Sequence, residues 1–342
     1  MSTDGQSSAI CINLLTGFLG SGKTTLLKRL LADDAFADCA VLINELGEVG
    51  LDHQLLDRID NEMVVLQNGC ICCSVREDLR QALLSLHDRR ERGVIPPFNR
   101  VVIESTGLAD PVPVLTTIAG DAVLRHHYRL GNVVTTVDAV HAPDQCERQA
   151  EWSRQVAVAD RVVITKADLV KADALDAVRE AVRRINASAW LTVSHDDARD
   201  ADVLLSADID GPASRVEEAR RLFARAAAPQ AGGVLARPVP GHRDEVGTLS
   251  LHFERPLDWV AFGIWLSMLL HSHGADIWRV KGILNVEGSA LPVVIHGVQQ
   301  LIHAPLHLSA WPDDADRRSQ LVLIGKLPPR AAIEASMQAF GF

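Results

Sequence analysis

The segment Gly17-Phe18-Leu19-Gly20-Ser21-Gly22-Lys23-Thr24 constrains this chain more than any other. It fits G-x-x-x-x-G-K-[ST] and stands between an apolar run at 10–15 and an amphipathic stretch at 23–32. A glycine-rich turn that leaves a strand and opens a helix lets successive backbone N–H groups converge on one anion. The helix N-terminus adds its positive dipole end at the same point. In that geometry Lys23 reaches the β- and γ-phosphates of a nucleotide, and the Thr24 hydroxyl is placed for Mg²⁺.

The flanking pattern supports the same fold. Apolar strands are predicted at 10–15, 40–43, 63–66, 100–103, 132–137 and 161–165, with amphipathic helices at 23–32, 75–90, 112–119, 144–158 and 172–185. Strands of near-continuous Val, Ile and Leu imply burial on both faces, hence a mostly parallel sheet covered by helices: an α/β fold of the P-loop NTPase class. The 342 residues suffice for about two domains. The pattern weakens after Trp190, and 211–244 is rich in Ala, Arg, Pro and Gly, which reads as a short helix and a linker. Beyond it, strands at 248–253, 276–286, 291–296, 301–307 and 320–324 with helices at 257–271 and 328–339 predict a small α+β domain with an antiparallel sheet. The expected division is therefore 1–210, a linker at 211–247, and 248–342.

Composition excludes several partners. Thirty-four basic residues against 44 acidic ones give a net charge of −10, the wrong sign for a nucleic-acid surface. The most membrane-like run, 259–270, has only twelve residues, short of the ~20 needed to span a bilayer. It reads as a buried helix, with Trp259, Trp265 and Trp278 as core. The opening MSTDGQSSAI lacks the basic and apolar regions of a secretory signal, so a cytoplasmic protein is expected.

Two further segments bear on the nucleotide. Val101-Val102-Ile103-Glu104-Ser105-Thr106-Gly107 is a strand ending in an acid, and such an end lies beside the phosphate loop in a doubly wound sheet. Glu104 could support Mg²⁺ or its water shell, and Gly107 could present its N–H to a γ-phosphate. Lys23, Glu104 and Gly107 are the catalytic candidates. Thr165-Lys166-Ala167-Asp168 resembles the guanine-selecting N-K-x-D, with Thr165 in place of Asn. A carboxylate accepts two N–H bonds from the edge of guanine, an edge that adenine lacks, so Asp168 favours GTP over ATP. The aliphatic stem of Lys166 would lie along the base.

The cysteines are unevenly spread. Cys70, Cys72 and Cys73 fall within four residues, after the third strand and before a helix, whereas Cys11, Cys39 and Cys146 are isolated and read as core thiols. Three adjacent thiolates suit Zn²⁺, and also Co²⁺ or Cu(I), and leave one tetrahedral position open. Glu48, on the loop after the second strand, is the acid expected nearest. The alternative for the cluster is thiol redox sensing. His271-Ser272-His273 is read as a solvated helix end rather than a metal site.

Taken in order, GFLGSGKTTLL, NELGEVGLD, NGCICCSVREDL, ESTGLADP, VDAVHA and ITKADLV resemble the CobW-type GTPases, as LSLHFERPLDW and RVKGIL resemble their small C-terminal domain. The resemblance implies GTP hydrolysis coupled to delivery of zinc, cobalt or iron. It implies Gly20, Ser21, Gly22, Lys23, Thr24 and Thr25 as phosphate and Mg²⁺ residues, Lys166 and Asp168 as base residues, and Cys70, Cys72 and Cys73 as metal residues. A client metalloprotein would dock on the C-terminal domain, and a nucleotide-dependent homodimer is compatible with this picture. No His-rich run is present, only scattered residues such as His242, His252, His296, His303 and His307. Two competing readings are a metal-responsive regulatory or storage GTPase with slow turnover, and a small-molecule kinase using Glu104 and Asp110 as acids.

Overall fold

A computed structural model describes residues 9–33, 36, 38–44, 63–66, 74–194, 246–311 and 317–342. The chain forms two compact units, interleaved in sequence: Met1–Val140, Arg161–Leu169 and Leu191–Asp208 in one, His141–Asp160, Val170–Trp190 and Ile209–Phe342 in the other.

The first unit is built on a seven-stranded sheet of β1 (Ile10–Gly17), β2 (Cys39–Asn44), β3 (Met63–Leu66), β4 (Arg100–Ser105), β5 (Tyr128–Asp138), β6 (Arg161–Thr165) and β7 (Trp190–Val193), in the order β3-β2-β4-β1-β5-β6-β7. The pairings from β3 through β6 are parallel. Every residue of β1 is buried, and so are all of β6 and all but the first of β4, as the apolar runs required. β1 lies between β4 and β5, so the order of strands reverses beside it and a crevice opens at its carboxyl end. Helix α1 (Lys23–Leu31) turns Leu26, Leu27 and Leu30 onto a core containing Leu15, Val41, Val102, Val134 and Val163. Lys28 and Arg29 occupy its last turn, where cations complement the dipole.

Several boundaries differ from the sequence expectation. The helix expected at 144–158 is two, Ala142–Arg148 and Ala150–Val158, because Gln149 adopts an extended backbone (φ −118°, ψ 108°) between them. β5 begins four residues earlier than expected, at Tyr128, with an irregularity in its register against Ile12 and Leu14. β7 lies where the apolar pattern had weakened.

In the second unit β8 (Gly247–Phe253), β9 (Ile277–Leu284), β10 (Val293–Val298), β11 (Leu301–Ile302) and β13 (Ser319–Gly325) form an antiparallel sheet in the order β11-β10-β9-β13-β8, with β12 (Leu306–His307) on β10. The expected strand at 301–307 is thus two short ones. Alternate residues Leu249, Leu251 and Phe253, with Val280, Leu284, Val293, Ile295, Leu321 and Leu323, share a core with the helices Trp259–His273 and Arg330–Ala339. Asp258 starts the first of these helices by accepting the Ala261 N–H at 2.7 Å. Trp265 and Trp278 are buried as expected, whereas Trp259 at the helix start is 41% exposed. Of the isolated cysteines, Cys11 and Cys39 are buried and Cys146 is half-buried. Among the described residues no helix is long and apolar enough to cross a membrane.

The strand register of β9 puts Arg279 and Lys281 out of phase with the apolar Val280 and Leu284. Both cations are buried, and both contact Oδ1 of the buried Asp160, Lys281 at 2.8 Å. Buried charges persist only when paired, and removing one partner strands the other in a low-dielectric interior. Asp160→Ala is expected to lower unfolding free energy by about 3–5 kcal/mol in a denaturant titration. His303 bonds through its backbone N–H to the His296 carbonyl at 2.9 Å. Burial, with Arg279 and His296 nearby, pushes its imidazole down to about 4. Between the ordinary histidine range near ~6.5 and this value the unfolded chain binds the extra proton, so stability is full above that range and falls as pH drops toward 4. His303→Gln should flatten this part of the stability–pH profile, measured by urea unfolding across the window.

Candidate functional site

Four segments meet at the carboxyl edge of the parallel sheet, because β1, β4, β5 and β6 all point the same way. β1 delivers the phosphate loop. Gly20 and Gly22 take positive φ (71° and 88°), a region that costs a side chain but not glycine, and Gly22 forms the N-cap of α1. The turn is tied to the sheet by hydroxyls: Ser21 Oγ lies 2.6 Å from Thr136 Oγ1 of β5, and Thr165 Oγ1 of β6 donates to the Ser21 carbonyl at 2.8 Å. Lys23 is buried and donates from Nζ to the carbonyls of Gly17 (2.9 Å) and Phe18 (3.1 Å). Burial holds its ammonium below the ordinary lysine range, and the charge of Glu104 opposes that shift. A phosphate offers this ammonium a charged acceptor in place of carbonyls.

β4 delivers Glu104 and Gly107. Thr24 Oγ1 donates to Glu104 Oε1 at 2.7 Å, so the two oxygens expected around Mg²⁺ are in contact. Two neighbouring oxygen donors, one anionic, are the chemistry a hard divalent cation takes. Ser105 Oγ donates to Thr16 Oγ1 at 2.9 Å, fastening the strand ends together. Gly107 is packed on the phosphate loop: a Cβ there would lie 2.6 Å from the Leu19 backbone nitrogen. Thr25, on the exposed side of α1, makes none of these contacts.

β6 delivers the Thr165–Asp168 turn. Thr165, which stands where N-K-x-D has Asn, reaches the phosphate loop directly with its hydroxyl. Lys166 Nζ donates to the Gly20 carbonyl (2.8 Å) and to Asp138 Oδ2 (2.6 Å). Asp168 lies in a short 3₁₀ turn, Ala167–Leu169, with its side chain exposed. Asp138 was not singled out from the sequence. The signal was available in V-D-A at a strand end, the same position that drew attention to Glu104. Asp110, an acid of the kinase reading, accepts the Val112 N–H at 3.0 Å at a helix start.

Cys70, Cys72, Cys73 and Glu48 lie outside the described residues, as do most of the 211–247 linker and His242. The chain leaves β2 at Asn44 and β3 at Leu66, both at the carboxyl edge, four residues ahead of Glu48 and Cys70 respectively. Among the described residues no group of three His, Cys, Asp or Glu side chains is arranged to hold a metal ion, and His271 and His273 are exposed at a helix end.

The family described as CobW/HypB/UreG, nucleotide-binding domain, matches residues 11–192. The chain belongs to this family. The cobalamin synthesis protein cobW C-terminal domain matches residues 246–341. Among relatives, the zinc chaperone YjiA of Escherichia coli K12 is 34% identical over 328 residues, covering 96% of this chain and 97% of its own length. The zinc chaperone CobW of Pseudomonas aeruginosa is 28% identical over 364 residues, covering 94% and 89%. The crystal structure of Zn(II)-bound YjiA GTPase from E. coli superposes with a TM-score of 0.68 at 31% identity, over 97% of this chain and 99% of that one.

In this CobW-family chain the contact between Gly107 and the phosphate loop makes a direct test. Gly107→Ala forces the added methyl into Leu19, so the loop or the 104–107 segment must shift. Calorimetric titration should show about tenfold weaker binding of a non-hydrolysable guanosine triphosphate analogue, with guanosine diphosphate affected less.

Proposed function

We propose that the chain is a GTP-hydrolysing metallochaperone that takes Zn²⁺ as cargo and passes it to a client metalloprotein. The observation that carries the reading is the single edge on which phosphate loop, acid, base-reading turn and the exits toward the thiol segment converge. The names of the CobW-family relatives, zinc chaperones and a Zn(II)-bound GTPase, support zinc as the cargo; Co²⁺ and Fe²⁺ fit a site of thiolate and carboxylate less selectively.

In this reading the loop amides and Lys23 bind the β- and γ-phosphates of GTP, while Asp168 and the stem of Lys166 hold guanine. Thr24 and Glu104 would hold Mg²⁺, which when bound neutralises phosphate charge. Gly107, seated on Leu19, presents backbone to the γ-phosphate without a side chain in the way. Cys70, Cys72 and Cys73, with Glu48 as the fourth donor, would hold the cargo. All four donors follow in sequence strands that end at the phosphate edge, β2 at Asn44 and β3 at Leu66, so in this reading γ-phosphate and cargo bias the same segments. Such coupling is reciprocal, and ~1–3 kcal/mol of it changes metal affinity roughly 5–150-fold. The C-terminal unit would supply the client-docking surface.

Equilibrium competition among Zn²⁺, Co²⁺, Fe²⁺ and Ni²⁺, run with GTP, GDP and no nucleotide, tests the proposal. Tightest binding of Zn²⁺ and at least about a fivefold difference between nucleotide states are expected. Equal affinity in all three states would overturn coupled delivery. Cys70→Ser, Cys72→Ser and Cys73→Ser combined should abolish tight Zn²⁺ binding; unchanged affinity would overturn the assignment of the cargo site.

A further inference from the structure

We infer that Asp138 is a positioning residue for base recognition, acting through Lys166 to set the turn that presents Asp168. The inference rests on the guanine-binding reading of that turn and adds a residue to it.

Asp138 ends β5 and pairs in register with Thr165, which ends β6. The Ala139 N–H bonds the Thr165 carbonyl at 3.0 Å, so the two strand ends leave the sheet side by side. The Asp138 side chain is only 2% exposed. Its Oδ1 accepts the Val140 N–H at 2.8 Å, which orients the carboxylate, and its Oδ2 meets Lys166 Nζ at 2.6 Å. A buried carboxylate held by a backbone N–H makes a rigid anchor for an ammonium, and a charged bond of this length is among the stronger ones in a protein.

Lys166 needs such an anchor. Its backbone φ is 54°, in the left-handed region that residues with a Cβ seldom occupy. That conformation reverses the chain at the end of β6, and the following 3₁₀ turn is closed by the Leu169 N–H on the Lys166 carbonyl at 3.1 Å. The ammonium is fixed by Asp138 on one side and the Gly20 carbonyl on the other, while the side chain as a whole stays 36% exposed. A lysine tied at its head, with part of its side chain open to solvent, can lay its stem against a base. Released from Asp138, Lys166 is free to leave the strained conformation, and Asp168 two residues on loses its fixed direction.

The experiment compares wild type with Asp138→Asn, which keeps an acceptor for the Val140 N–H but drops the charge, and with Asp138→Ser, which does the same in less volume. Steady-state hydrolysis of GTP, ITP and ATP is measured for each, with thermal melts as the check on folding. Inosine lacks the 2-amino group, so the GTP-to-ITP preference in KM reads the two-bond contact of Asp168. Both variants should raise KM for GTP about tenfold or more, with kcat within about threefold, and should erode the GTP-to-ITP preference. Adding Asp138→Asn to Lys166→Met should change KM by less than about twofold, because the carboxylate acts through the lysine. A GTP KM and GTP-to-ITP ratio unchanged in both variants, additive losses in the double variant, or failure of both variants to fold would each overturn the inference. If wild type itself shows no preference for GTP over ATP, the guanine-binding reading fails first and the inference falls with it.

Discussion

A strand buried on both faces meets solvent only at its ends, and the first unit is organised around that constraint. From Ile10 to Gly17 β1 exposes nothing, and β6 is equally enclosed. Whatever these strands contribute to chemistry has to emerge at their carboxyl ends. Parallel pairing then puts those ends on one edge: Gly17, Glu104, Asp138 and Thr165 arrive together although up to 148 residues separate them in sequence. The edge is held by buried hydroxyls rather than by apolar contacts. Thr16 with Ser105, Ser21 with Thr136, and Thr165 with the Ser21 carbonyl cross from strand to strand away from water, where a hydrogen bond is stronger and an unmade one is costly.

In the second unit the two helices cover one face of the antiparallel sheet over Phe253, Leu284 and Leu321, and β9, β10 and β13 are buried at every position, so their other face is covered as well. Residues of opposite phase on β9 include the buried Arg279 and Lys281, both paired with Asp160. Two cations on one carboxylate make a junction with little tolerance for loss of the acid. Apolar side chains of similar volume would pack there at no electrostatic cost, so the junction specifies an arrangement more than it adds net stability.

Much of this was legible in the sequence. Runs of Val, Ile and Leu located β1 to β6, since burial on both faces leaves a composition rather than an alternation. The phosphate loop was readable because its glycines are required by backbone geometry, and Glu104 and Asp168 drew attention because each lies at or just past the carboxyl end of a buried strand. What escaped notice depended on partners distant in sequence. The break at Gln149 has no proline or glycine to announce it. Nothing near Thr165 in sequence marks its acceptor, the Ser21 carbonyl, 144 residues away. Trp259 looked like core because an apolar residue at the first turn of a helix gives no hint of which way that turn faces.

The ammonium of Lys166 joins the two ends of the site. It bonds the Gly20 carbonyl inside the phosphate loop and the Asp138 carboxylate at the end of β5, from the turn that in the proposed function faces the base. A shift of Gly20 therefore changes the environment of the Thr165–Asp168 turn through one side chain. The Thr165 hydroxyl on Ser21 gives the same two segments a second link, one residue away on each. The phosphate loop and the Thr165–Asp168 turn are thus one hydrogen-bonded body. In the proposed function, a nucleotide that changes at its γ-phosphate while keeping its base leaves this body in place, so a switch has to act through other segments.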